Sequence, residues 1–178
     1  VAFRIPDLIF QVLAGATLGS AFIPVFARIA GRDGDDPAWR LASTVLNLVA
    51  ASTAVLCVIA FVLAPYIVPL TAPGLGADVG RHVELTDKAV KLTRLMLLSP
   101  LLFSVSGMVT GILNGRQRFF LSALAPMLYN VAIIFGAVVL SGPWGVEGLA
   151  VGVVIGAALH LAIQVPGLFR ERMHYTPS

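Results

Sequence analysis

The chain of 178 residues is 58% hydrophobic and only 12% charged, against about 25% charged for an ordinary soluble domain. So little charge could not cover a water-exposed surface, and the lone cysteine, Cys57, excludes a disulfide framework or a cysteine-based metal site. The net charge of +3 reflects how loops are decorated and gives no reason to invoke nucleic acid. Several stretches reach the ~18 apolar residues that a membrane helix needs. The sequence therefore predicts an all-α, polytopic transmembrane helix bundle.

Residue 1 is valine, so the sequence reads as an internal piece of a longer protein. Ala14-Gly15-Ala16 has the small residues of a signal-cleavage site, but Asp7, Pro24 and the absence of a clustered basic start argue against one. The first predicted span covers 5–27, with Pro6, Pro24 and a Gly15–Gly19 pair that puts two glycines on one face for close packing. A polar loop follows over 28–40, in which Trp39 is expected at the lipid–water interface. The second span, 41–64, carries no formal charge; its 24 residues cross a ~30 Å hydrocarbon layer at ~1.5 Å per residue.

Pro65, Pro69 and Pro73-Gly74 are expected to end that span and open an external connector over 65–91. Within it Val79, Val83, Thr86 and Val90 recur at helical spacing, with Glu84–Lys88 and Asp87–Lys91 as opposite-charge pairs. This predicts a short amphipathic helix lying on the membrane surface, or alternatively one for a partner protein. The third span, 95–113, has Pro100 near its start and Gly107–Gly111 at packing spacing. A basic tip, Asn114-Gly115-Arg116-Gln117-Arg118, hinges it to the fourth span, 119–140, forming a hairpin with Phe119-Phe120 at the boundary. A chargeless turn over 141–145 leads to the fifth span, 146–166, in which Gly148, Gly152 and Gly156 recur every fourth residue. Such rows serve packing by default.

Orientation follows from basic residues in loops. One face holds seven, Arg28, Arg32, Arg40, Arg116, Arg118, Arg170 and Arg172; the other holds five, Arg4, Arg81, Lys88, Lys91 and Arg94. The first face is expected to be cytoplasmic. That puts Val1 outside and implies at least one further span upstream.

Catalytic constellations are missing from the sequence. His82, His160 and His174 are scattered, and no HExxH, paired carboxylates, Ser/His/Asp grouping or phosphate-cradling Gly loop appears. Polar residues at membrane depth are the remaining site candidates. Asn130 reads either as a cavity-lining amide or as an interhelical hydrogen bond, the latter being the commoner use. Gln11, Asn47 and Gln164 carry the same two readings, and His160 is expected to bond a neighbouring helix. Arg4 and Asp7 flank Pro6; either Arg4 snorkels to the interface, or the two present charge to an anionic substrate.

An ordered set of segments carries a resemblance. VAFRIP at 1–6, AFIPVF at 21–26, TAPG at 71–74, GILN at 111–114 and APMLYN at 125–130, with the basic tip and Gln164 before Pro166, resemble the lipid II flippase family, MurJ/MviN type. The resemblance implies membership of the multidrug/oligosaccharidyl-lipid/polysaccharide exporter superfamily, two helical lobes around a central cavity, and outward movement of the peptidoglycan precursor. It makes this chain spans two to six of the N-terminal lobe, in a multi-pass protein of the bacterial cytoplasmic (inner) membrane. Implied partners are lipid II or a related undecaprenyl-linked substrate, membrane lipids and the remainder of the transporter chain; no cofactor, metal or enzymatic activity is implied. Substrate-contacting candidates are Arg4, Asp7, Gln11 and Asn130. The family's basic pair followed by Phe-Ala-Glu-Gly is replaced here by FQVLAGA at 10–16, and its asparagine after the proline is Asp7. Its essential cavity arginines are expected in the first and eighth spans, outside this chain. Export of a drug or a polysaccharide precursor, or a non-transporting scaffold role, are the alternatives.

Overall fold

The computed structural model describes residues 2–13, 21–71 and 79–170, and every regular element among them is helical. In chain order these are α1 (Arg4–Leu13), α2 (Ile23–Arg32), α3 (Asp35–Thr71), α4 (Val79–Met96), α5 (Leu98–Gly115) and α6 (Phe119–Phe135). A π-helical turn, Gly136–Leu140, joins α6 to α7 (Ser141–Trp144), and α8 (Val146–Ala162) and α9 (Val165–Arg170) follow. Four stretches are long and apolar enough to cross a membrane: Asp35–Thr71, Val83–Gly115, Phe119–Trp144 and Val146–Arg170. The bundle is an all-α membrane fold. The expected span 5–27 corresponds to α1 and α2, while its middle, with the Gly15–Gly19 pair, lies outside the described residues, as do Pro73-Gly74 and the tail from 171.

Two helices run further than their sequence patterns suggested. α3 continues through Pro65 and Pro69 to Thr71 instead of ending at 64. Proline removes an N–H from the helix ladder and frees the carbonyl four residues earlier. Arg94 supplies the missing donor at Pro65, its Nε bonding the Phe61 carbonyl at 3.2 Å. At 37 residues α3 is about 55 Å long, well beyond the hydrocarbon thickness.

The connector helix also differs from expectation. α4 does not lie apart on a surface: it packs against α1, α3 and α8 and runs into α5 with a break at Leu97. Ala89, Val90 and Leu97 join Ile5, Ile9, Ala64 and Val68 in one buried cluster. Lys88 reaches Glu147 of α8 at 3.6 Å, a pair not foreseen from the sequence, where Glu84 was its expected partner.

α5 is the central helix, packed against α1, α2, α3, α6 and α8. Its tip is clasped to the α2–α3 turn. Arg116 Nη2 meets Asp35 Oδ1 at 2.5 Å, and the guanidinium lies 5.2 Å from the Trp39 ring centroid and 5.7 Å from that of Phe26. Trp39 is therefore buried with Phe22, Phe26 and Ile112 and is not the exposed interface residue that its loop position suggested. The flat cation faces the buried indole, while among the described residues Arg116 Nε, also buried, has no hydrogen-bond partner.

The α8 glycine row is a packing seam against α6. A Cβ on Gly152 would lie 2.7 Å from Gly136 Cα, and one on Gly156 would lie 2.7 Å from Tyr129 Cδ2; Gly148 meets the Leu140 carbonyl. In α5 the missing Cβ of Gly111 faces Phe22 Cδ1 at 3.3 Å and that of Gly115 faces Phe26 Cδ1 at 2.9 Å, whereas Gly107 faces open space. The expected turn over 141–145 is mostly helical. The reversal is concentrated at Gly145, whose φ of 58° and ψ of −135° suit glycine alone.

Candidate functional site

The short helix α1 sorts its residues by face. Ile5, Pro6 and Ile9 are buried, while Arg4, Asp7, Leu8 and Gln11 are exposed. Pro6 is tolerated in the first turn, where its N–H is not needed. Asp7 Oδ2 accepts a 2.7 Å hydrogen bond from Gln11 Nε2 one turn later. Arg4 turns the other way and donates from Nη1 to the Thr71 carbonyl at 3.2 Å, closing the end of α3.

A cleft of about 250 Å³ opens beside α1. Pro6, Asp7 and Phe10 form one wall; Met96, Ser99, Pro100 and Phe103 form the second; Tyr129 and Val153 close the third. Phe103 is the hub of its aromatic lining, with ring centroids 5.5 Å from Phe10, 5.0 Å from Tyr129 and 5.3 Å from His160. Among the described residues the buried Ser99 hydroxyl has no hydrogen-bond partner. Asp7 is thus the charged group of an otherwise apolar, aromatic cleft.

Of the residues singled out from sequence, Asp7 lines this cleft directly. Gln11 reaches it only through its bond to Asp7. Arg4 and Asn130 do not line it: Arg4 is held at Thr71, and Asn130 is exposed on α6 beside the cleft residue Tyr129. Among the described residues no basic side chain lines the cleft, so it offers a phosphate no positive partner. Among the described residues no three His, Cys, Asp or Glu side chains converge.

Behind the cleft lies a buried polar network. Gln164, fully buried, donates from Nε2 to Ser106 Oγ at 2.8 Å and to the His160 carbonyl at 2.8 Å. Its Oε1 accepts from Thr110 Oγ1 at 2.7 Å, and Ser106 Oγ lies 2.7 Å from His160 Nδ1. The sequence reading that Gln164 and His160 serve packing holds. Their partners went unnoticed, although Ser106 and Thr110, like His160 and Gln164, are four apart and so share a helix face.

Comparison with known proteins gives this geometry its family. The family model described as lipid II flippase MurJ matches residues 1–178. The chain belongs to the MurJ lipid II flippase family. A relative from Burkholderia cenocepacia, described as lipid II flippase MurJ, is 35% identical over 97% of this chain and 33% of its own length. One from Rhizobium tropici, described as a probable lipid II flippase MurJ, is 29% identical over 94% of this chain and 32% of its own. A MurJ from Thermosipho africanus is 25% identical over 99% of the chain and 35% of its own length. The chain thus spans about a third of the length of the MurJ relatives it matches. With its apolar helices, it is a bacterial membrane protein of the MurJ family.

Proposed function

We propose that the protein containing this chain moves a lipid-linked peptidoglycan precursor of the lipid II type from the inner to the outer leaflet of the bacterial cytoplasmic membrane. The family match across residues 1–178 is the observation that carries this reading. The chain contributes a multi-pass half-bundle of five spans, the first formed around 5–27, with the tip at Arg116 on the cytoplasmic side and α4 toward the outside. Transport proceeds by alternating access, the head group passing between helical lobes while the lipid tail stays in hydrocarbon.

In this reading Asp7, oriented by Gln11, faces uncharged hydroxyl and amide groups of the substrate. A carboxylate repels a pyrophosphate, so the phosphates take their positive partners from Arg4 and from basic residues elsewhere in the protein. Asn130 adds a neutral hydrogen-bonding amide on the exposed side of α6.

The test is growth of a bacterium depleted of its own flippase, with membrane insertion of each variant checked separately. The full-length protein should restore growth, residues 1–178 alone should not, and Arg4→Ala in the full-length protein should impair rescue. Rescue by 1–178 alone would overturn the half-transporter model. Normal growth with Arg4→Ala would leave Arg4 only as the clamp on Thr71.

A further inference from the structure

A second groove lies on the opposite side of α4 and α5 from the cleft, between α3 and the α4–α5 break. It measures about 380 Å³ and is walled by Cys57, Val58 and Phe61 of α3 and by Leu98 and Leu101 of α5, with Leu97 at its floor. Val58, Phe61 and Leu98 are 63%, 47% and 50% exposed, so the groove opens away from the bundle. The break itself is covered from below, because Cys57 Sγ donates to the Leu97 carbonyl at 3.3 Å.

At the rim of this apolar groove stands Arg94. Its Nε is fixed on the Phe61 carbonyl and its guanidinium lies 4.6 Å from the Phe61 ring centroid. These contacts set the plane of the group and use one of its five donors. Among the described residues the terminal guanidinium nitrogens have no hydrogen-bond partner, and neither Arg94 nor exposed Lys91, three residues earlier on the same side of α4, forms an ion pair. Of the acids in α4, Asp87 lies one turn before Lys91 on the same face and Glu84 one turn earlier again, yet among the described residues neither forms an ion pair with Lys91 or Arg94.

Depth fits a lipid head group. From Arg94 to the basic tip at Arg116 the α4–α5 path climbs about 33 Å at ~1.5 Å per residue, close to the ~30 Å hydrocarbon thickness. With the tip at one boundary, Arg94 stands at the other, and the groove descends from it into hydrocarbon.

We propose that this groove binds an anionic glycerophospholipid, one acyl chain lying along Val58, Leu98 and Leu101 and the phosphodiester resting on the terminal nitrogens of Arg94 and on Lys91. The occupant is a lipid of the surrounding leaflet, because apolar walls and unpaired cations at head-group depth complement its two parts. Planar guanidinium groups pair well with phosphate oxygens, and each basic residue near the membrane surface contributes about a fivefold preference for anionic lipid.

The experiment uses the purified full-length protein, presented with phosphatidylglycerol or phosphatidylethanolamine of identical chains, and counts retained lipid by native mass spectrometry. Wild type should retain phosphatidylglycerol in preference. The double variant Lys91→Gln/Arg94→Gln should lose that preference, and Ala54→Leu, which fills the groove wall, should lower retention of both lipids. Since Arg94→Gln also removes the donor to Phe61, a second measurement keeps both charges: Leu98→Trp should be quenched by phosphatidylglycerol brominated along its chains more strongly than by the brominated phosphatidylethanolamine. Equal retention of the two lipids by wild type, an undiminished preference in the double variant, or the absence of differential quenching would overturn the proposal. Another protein segment seated in the groove would show as the last of these.

Discussion

Replacing Gly152 by alanine adds one methyl group at the tightest point between α6 and α8. That carbon would stand 2.7 Å from Gly136 Cα, 3.1 Å from the Ala132 carbonyl oxygen and 3.3 Å from Gly136 N. Ordinary carbon contacts lie at about 3.5–4.0 Å. The helices must therefore part by about 1 Å, and all three obstacles are backbone atoms that cannot rotate aside. Overpacking of a dense core costs about 1–3 kcal/mol, and separation along the seam would also loosen Gly148 and Gly156. Gly107→Ala is the matched control, since its Cβ meets nothing within 4 Å; there alanine should be neutral or mildly stabilising by helix propensity. Thermal unfolding of the purified full-length protein in detergent should place Gly152→Ala below wild type and Gly152→Leu lower still, with Gly107→Ala at or above wild type. Equal melting of Gly152→Ala and Gly107→Ala would refute the seam and mean that this face of α8 looks at lipid.

Two further outcomes follow from the clasped tip and the polar network. Single cysteines at Gln117 and Gly34, in a Cys57→Ser background, should react only with reagents that reach the cytoplasm; labelling of Gln117 by an impermeant external reagent would invert the proposed orientation. Gln164→Leu strands the Thr110 hydroxyl and deprives Ser106 of a donor, so it should cost about 1–3 kcal/mol in detergent unfolding, whereas a loss no larger than that of the exposed Gln11→Leu would show that the network contributes nothing.

The fold class was legible because a chain with so few charges has one way to hide its backbone polar groups in lipid, and long apolar runs mark where it does so. The glycine row of α8 was readable for a similar reason: a four-residue period puts small side chains on one line, whichever helix lies opposite. Proline was the misleading signal. Pro65 looked like an end of α3 because the remedy for its missing N–H is Arg94, thirty-three residues from Phe61 in sequence but beside it in space. Trp39 misled likewise, its burial depending on Phe26 of α2, Met108 and Ile112 of α5 and the Arg116 guanidinium, all distant in sequence or on other helices. The candidate cleft was half legible. Asp7 and Gln11 are four apart on one helix, whereas Phe103, Tyr129 and Ser99 reach the same space only once α1, α5 and α6 have met.

The Asp35–Arg116 clasp makes the two ends of the bundle different in kind. At the tip, α2, α3 and α5 are pinned together by an ion pair set over the edge-to-face rings of Phe26 and Trp39, so none can swing there without the others. The opposite end is held differently, by two arginine-to-carbonyl bonds, Arg4 to Thr71 and Arg94 to Phe61, by the Lys88–Glu147 pair and by the buried cluster of Ile5, Ile9, Ala64, Val68 and Val90. Between the two, α4 and α5 meet at Leu97, whose N–H still bonds the Thr93 carbonyl at 3.0 Å, while Pro100 has no N–H to offer the Met96 carbonyl. The cleft wall at Met96 and Ser99 stands immediately beside this junction, so any change in the angle between α4 and α5 would alter the spacing of that wall.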